Sequence, residues 1–209
     1  MNTFWSYWGG VIVRPRSTFT LLNTDPNGLK QGTRAILFMG ILYSLTVAGL
    51  AAAGADISSP PWLAIPAEDY YFWQIFYALP VILLGWILAS GVIQLLSRGF
   101  HGQGSFEKNL AATGFSLVVP MLVTWIPETV ATILFLAGTI TQKEWMETIT
   151  RPGFWKTFAD LYQYVAIGWM LLLTPLAIAV VQKIRWWQAI LIGFLTLGIF
   201  MTLMLIFIR

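Results

Sequence analysis

Five long apolar stretches, separated by short polar connections, set the pattern of this chain. They run over about 35–55, 73–96, 110–140, 162–181 and 188–208. A helix needs roughly 20 apolar residues to cross ~30 Å of hydrocarbon, so each stretch predicts one membrane span. The expected fold class is an all-α integral membrane protein, a five-span helical bundle with a short interfacial amphipathic N-terminal arm. The third stretch departs from the rest, because it is too long for one straight helix and contains Pro120 and Pro127. Proline removes a backbone donor and crowds the preceding turn, and in lipid the freed carbonyls need partners within the protein. A broken third span is therefore expected, either one kinked helix or two halves. Pro80 lies inside the second stretch and Pro175 near the end of the fourth.

Ahead of the first stretch the pattern changes, which divides the chain into an arm, 1–34, and a transmembrane domain, 35–209. In the arm, Phe4, Trp8, Val11 and Ile12 share one helical face. Pro15 restarts the chain, and Ser17, Thr18 and Phe19 begin a second short helix. With Arg14 and Arg16 beside them, these residues predict a hairpin lying on the membrane surface, with Trp5, Trp8, Arg14, Arg16 and Phe19 at the interface. Packing of the arm beneath the bundle accounts for the same pattern equally well.

Composition agrees with the spans. Only 10% of residues are charged while 57% are apolar, a balance for which bilayer is the natural solvent. Lysine and arginine gather at span ends rather than along one face, which excludes a nucleic-acid partner. With five spans, one side carries Arg14, Arg16, Lys30, Arg34, Arg98, Lys108, Lys183 and Arg185, and the other Lys143, Arg151, Lys156 and Arg209. The richer side holds the N-terminus, so the N-terminus is expected in the cytoplasm and the C-terminus outside. The connection over 56–72 has Asp56, Glu68 and Asp69 but no basic residue, and Ser58, Ser59, Pro60, Pro61 and Pro66 make it a stiff loop. Tyr70 to Trp73, Trp186 and Trp187 mark water–lipid boundaries. No cleavable leader is expected before the first span, since no apolar core follows Met1 directly and no small-residue cleavage site is present.

Chemistry is scarce. There is no cysteine, so disulfides, thiolate metal sites and cysteine nucleophiles are excluded. The single histidine, His101, has no second imidazole with which to hold a metal. Gly102-x-Gly104 lacks the third glycine of a dinucleotide fingerprint. Ser105 and Lys108 have the spacing of some serine acyl-enzymes but fit a helix N-cap better. No enzyme activity and no cofactor is expected. Glu128 is the one ionisable residue inside an apolar run. At membrane depth such a group faces a cavity or a partner. Following Pro127, and with Trp125 marking a boundary, it equally fits the start of a half-helix, where a carboxylate meets free backbone donors. Glu128, Pro120, Pro127 and Gln163 form the candidate polar site of a carrier. Gln94, Ser90, Ser116 and Thr124 are further candidates for interhelical hydrogen bonds, and Gly40/Ser44, Gly49/Ala53 and Gly85/Ala89 for close helix packing.

Several short segments resemble one family. Val13-Arg14-Pro15-Arg16-Ser17-Thr18-Phe19 is similar to the Pro-Arg-x-x-Phe entry of bacterial Yip proteins, the Ypt/Rab-GTPase-interacting membrane family. Gly102-Gln103-Gly104-Ser105-Phe106 resembles the glycine-rich link between its second and third spans. Gly114-Phe115-Ser116 with Pro120 resembles its Gly-Tyr-Ser…Pro run. The resemblance implies a five-span bundle with a cytoplasmic N-terminus, in a bacterial cytoplasmic (inner) membrane. Eukaryotic relatives associate with small GTPases and with one another. Their extended N-terminal region and Asp-Leu-Tyr-Gly-Pro motif are absent here, so binding of a Rab-type GTPase is not expected.

Two functions follow as expectations. The first is a non-enzymatic scaffold or organiser that binds lipid or partner membrane proteins, or forms a homo-oligomer. The alternative is a small-molecule or ion carrier working at the broken third span around Glu128.

Overall fold

The computed structural model describes residues 3–57 and 62–208. The expected stiff loop at Ser58, Ser59, Pro60 and Pro61, and the terminal Arg209, lie outside them. Among the described residues there are only helices: α1 (Phe4–Val13), α2 (Pro15–Thr24), α3 (Gly28–Ala52), α4 (Tyr70–Gly99), α5 (Phe106–Leu136), α6 (Gln142–Thr150), α7 (Phe154–Gln182) and α8 (Trp186–Phe207), with one turn of 3-10 helix over Ala67–Asp69. Five of them, α3, α4, α5, α7 and α8, are long and apolar enough to span a bilayer.

The third span is one helix, not two halves. Its 31 residues form one uninterrupted α-helix through Pro120 and Pro127, about 46 Å long at 1.5 Å per residue. Each proline deletes one hydrogen bond, and the rest of the ladder holds. Neighbouring helices hold this one in place, since every residue over 109–120 is buried, Pro120 included. A helix apolar all round is a buried helix, and this half of α5 is the axis of the bundle, packed by α3, α4 and α7 and by the arm. Beyond Pro120 the helix moves to the periphery, and residues 121–130 alternate between half-buried and exposed.

Local chemistry explains where the helices end. The helix α3 closes on Gly54 at φ 63°, with Ala55 N donating to Leu50 O at 3.0 Å. The helix α5 closes in the same way on Gly138 at φ 64°, with Thr139 N donating to Leu134 O at 3.0 Å. This is the left-handed cap that satisfies last-turn carbonyls. At the end of α4 the equivalent position is His101, at φ 59°, with Gly102 N bonded to Ser97 O at 2.8 Å.

Small residues let the spans approach. A methyl group on Gly114 would lie 2.5 Å from Gly32 O, and one on Gly32 would lie 2.6 Å from Ala111 Cα, so α3 and α5 cross backbone to backbone. A methyl group on Gly49 would meet Thr132 across the same pair, and one on Gly85 would meet Phe200 of α8. Pro175 is used as a packing surface, with Gly193 of α8 seated against its ring.

Candidate functional site

The arm is a two-helix hairpin with two unlike faces. Arg14 alone joins α1 to α2, and its carbonyl accepts the amide of Thr18 at 3.0 Å and the hydroxyls of Ser17 and Thr18 at 3.0 and 2.9 Å. Pro15 occupies the first turn of α2, where its missing donor costs nothing. Gly10 allows the two helices to meet, since a methyl group there would lie 2.5 Å from Thr18 Oγ1. Tyr7 donates its hydroxyl to Asp25 Oδ2 at 2.5 Å and locks the hairpin. The inward face, Tyr7, Trp8, Val11, Phe19 and Leu22, is buried in the same core as the spans. Its rings gather around Phe115, with Tyr7 at 5.9 Å and Trp8 at 6.3 Å between centroids. The outward face keeps Trp5, Ile12, Val13 and Leu21 exposed, with Arg14 and Arg16 beside them. Of the residues assigned to the interface from sequence, Trp8 and Phe19 are therefore interior, at 5% and 0% exposure. Trp5, Arg14 and Arg16 face outward.

Below the arm, buried amides tie three spans to the link between α4 and α5. Gln182 of α7 donates to Asn109 Oδ1 at 2.8 Å, Asn109 donates to Gln94 Oε1 at 2.7 Å, and Gln94 donates to Gly104 O at 3.2 Å. The Gly104 amide returns the bond to Gln182 Oε1 at 3.1 Å, and Gln103 N donates to Gln182 O at 2.9 Å. Gly102 and Gly104 are required by this arrangement. A methyl group on either would sit 2.5 or 2.8 Å from the Gln182 amide. Sequence reasoning found Gln94 and the glycine pair but missed Asn109 and Gln182, which look like ordinary polar residues at span ends. Ser90 also bonds across helices, to Thr113 at 2.8 Å, and Ser116 accepts from Thr174 at 3.4 Å. Thr124 instead donates within its own helix, to Met121 O at 3.0 Å.

Glu128 lies inside unbroken α5, so it caps no half-helix, and the carrier site cannot rest on a break there. The indole N–H of Trp125, one turn earlier, donates to Thr46 Oγ1 of α3 at 3.0 Å. The Glu128 side chain is exposed on the peripheral half of α5. The phenols of Tyr43, Tyr71 and Tyr162, from α3, α4 and α7, lie around it. Tyr43 in turn accepts from the buried Gln74 amide at 3.2 Å. Gln163 is exposed on α7 and hydrogen-bonded to Tyr162, and Pro120 is buried farther down α5 toward the arm. Among the described residues, no group of three or more His, Cys, Asp or Glu side chains is placed to hold a metal ion.

The sequence matches the Yip1 domain over residues 9–208. The chain belongs to the Yip1 family. The match begins within α1 and ends at the last described residue, so it takes in the arm from residue 9 onward and all five spans of this Yip1 domain. No curated protein and no solved structure matches it. The three segments that carried the resemblance now have physical roles in the Yip1 domain. The Pro15 segment makes the hairpin turn, the glycine link clasps Gln182, and Gly114-Phe115-Ser116 supplies the helix crossing, the aromatic centre and a hydroxyl contact to α7.

Proposed function

We propose that this Yip1 domain is a non-enzymatic organiser of a bacterial cytoplasmic membrane. Its N-terminus would be cytoplasmic and its C-terminus outside, and it would engage lipid or partner membrane proteins through the outward face of the arm. One observation carries this reading. The hairpin is anchored on one side by a full aromatic core, yet leaves Trp5, Ile12 and Val13 exposed at 63, 51 and 74% beside two arginines. Rigid presentation of apolar and basic side chains at the end of a bundle suits an interface between headgroups and protein. The test is a Trp5→Ser/Val13→Ser double variant of the full chain, compared with the parent for crosslinked partners in membranes. Loss of the crosslinks with unchanged thermal stability is expected. Unchanged crosslinks would end the proposal.

A carrier remains the second reading, on a specific observation: an exposed carboxylate within a span, with tyrosines from three other helices around it. Intramembrane ionisable residues of this kind line pathways. The cysteine-free chain permits a Glu128→Cys variant, with Lys30→Cys and Lys143→Cys as references for the two ends. Rapid labelling at 128 by an impermeant thiol reagent from one side, with its apolar neighbours silent, would favour the carrier. Silence at 128 would exclude it.

A further inference from the structure

Beside the amide cluster, at the same end as the arm, α2, the α4–α5 link, the start of α5 and the end of α7 line a half-open cavity of about 520 Å³. Three cations from three helices or their ends line it: Arg16, Lys108 and Lys183. No acidic residue does. The acids nearest in sequence are already engaged. The Glu107 carboxylate is bonded by its own backbone N–H and by Ser105 at the head of α5, and Asp25 accepts from Tyr7 and from Asn27 N at 2.8 Å. Among the described residues the one ion pair is Lys156–Asp160, on α7 near the opposite end. The three lining cations therefore make no ion pair there. Clustering like charges without counter-charge is unfavourable unless an anion completes the site.

Two residues that line the same cavity add to this. Asn23 lines it, and its Oδ1 is buried with no hydrogen-bond partner, a state that costs free energy until a donor arrives. Lys183 sits at φ 54°, in the left-handed region where glycine is the unstrained choice. A lysine stands where a glycine would be unstrained, and it lines the cavity. The floor is apolar, formed by Ala179, Val180 and Val181.

We propose that this cavity binds a phosphate group bearing a hydroxyl. Arg16 pairs with the phosphate oxygens through its forked guanidinium, Lys108 and Lys183 supply point charges, and the hydroxyl donates to Asn23 Oδ1 once that buried amide turns toward the cavity. Two sources share that chemistry, a glycerol-type phospholipid headgroup and free hydrogenphosphate. The site shares Arg16 with the outward face of the arm, but the organiser test changes only Trp5 and Val13, so the two readings fail separately.

The experiment uses the full chain in a neutral detergent and reads bound phosphatidylglycerol by native mass spectrometry, with phosphatidylcholine as the neutral reference. A first variant, Lys183→Gly, removes one cation while relieving the backbone. It is expected to raise the melting temperature and lower phosphatidylglycerol retention about fivefold, the effect of one basic residue near an anionic surface. A second, Arg16→Gln/Lys108→Gln, is expected to lower it further. A control, Lys30→Gln/Arg34→Gln, removes two exposed charges at the same end of the bundle and is expected to leave retention unchanged. Competition with inorganic phosphate then separates the sources. Lipid that stays bound in millimolar phosphate identifies the headgroup, and lipid that is displaced, with phosphate adducts appearing in its place, identifies the free anion. Equal retention by the parent and both cavity variants, or an equal loss in the control, overturns the proposal.

Discussion

Gly114 and Gly32 face each other where α3 and α5 cross, and the distance a methyl group would have from the facing backbone, 2.5 Å, sets how closely the two spans pack. Backbone cannot swing aside as a long side chain can. Gly114→Ala is therefore expected to cost about 1–3 kcal/mol by overpacking, read as a lower melting temperature in detergent. Gly91→Ala is the matched control. It lies in the middle of α4 with nothing within 4 Å of the added methyl, and a helix interior favours alanine by roughly 0.5–1 kcal/mol, so its melting temperature should hold or rise. Residues such as Gly114, Phe115 and Ser116 were legible as a motif in the sequence. Gly32, Asn109 and Gln182 were not, because each gains its role from a partner far away in the chain. Nothing local distinguishes a glutamine at a helix end that closes four hydrogen bonds from one that faces water.

Among the elements, α1 and α2 show how far periodicity reaches. It placed both helices and the restart at Pro15, but it grouped Ile12 with Trp8 on one face. The docked hairpin turns Ile12 outward, at 51% exposure, and buries Trp8. Trp8→Ala is expected to lower stability by about 3–5 kcal/mol as a large-to-small core change. Trp5→Ala should stay within about ±0.5 kcal/mol. Comparing the two melts checks the assignment of faces. The short helix α6, which the charge pattern left inside a mixed-sign connection, is written locally after all. Thr141 and Glu144 form a reciprocal cap, with Thr141 N donating to Glu144 Oε2 at 2.8 Å and Glu144 N donating to Thr141 Oγ1 at 3.2 Å. The backbone N–H of Thr141 first, and its hydroxyl second, hold the Glu144 carboxyl below its ordinary value of 4.5. A depressed carboxylate stabilises its element above the unfolded pKa and loses that contribution as pH falls through the folded one. Amide exchange over 142–150 should therefore quicken only as pH drops below the ordinary value. Glu144→Gln should remove that pH dependence while keeping the residue's capacity to cap.

At the scale of the whole molecule, five crossings put the two ends of the bundle in different compartments. One end gathers the arm, the α4–α5 link and the α7–α8 turn, joined by the bond from Gln103 N to Gln182 O at 2.9 Å. The other gathers the start of α4 and the end of α8, where Tyr70 donates to Phe207 O at 3.1 Å, and the segment after α3, where Gln142 donates to Asp56 O. Lys30→Cys and Lys143→Cys, each exposed at one of these ends, are expected to react with an impermeant thiol reagent from opposite faces of sealed vesicles. Labelling of both from the same face would refute the five-span arrangement. Within that arrangement packing is uneven. The first half of α5 is enclosed on every side, while the second half leaves Glu128 exposed.

What the sequence determined by itself was the solvent, the number of spans and the family, because these depend on local composition and on the length needed to cross hydrocarbon. The helix caps at Gly54, Gly138 and Thr141 were local as well, since a cap is made by neighbours in the chain. Tertiary structure alone decided that α5 runs unbroken through two prolines, because the helices around it hold the ladder that an isolated peptide would lose. It also decided which face of the arm is core, and that Gln94, Asn109 and Gln182 share one hydrogen-bonded cluster. Arg16, Lys108 and Lys183 line a common cavity only because α2, α5 and α7 converge there. Convergence of groups distant in sequence is set by packing, and hydropathy carries no record of it.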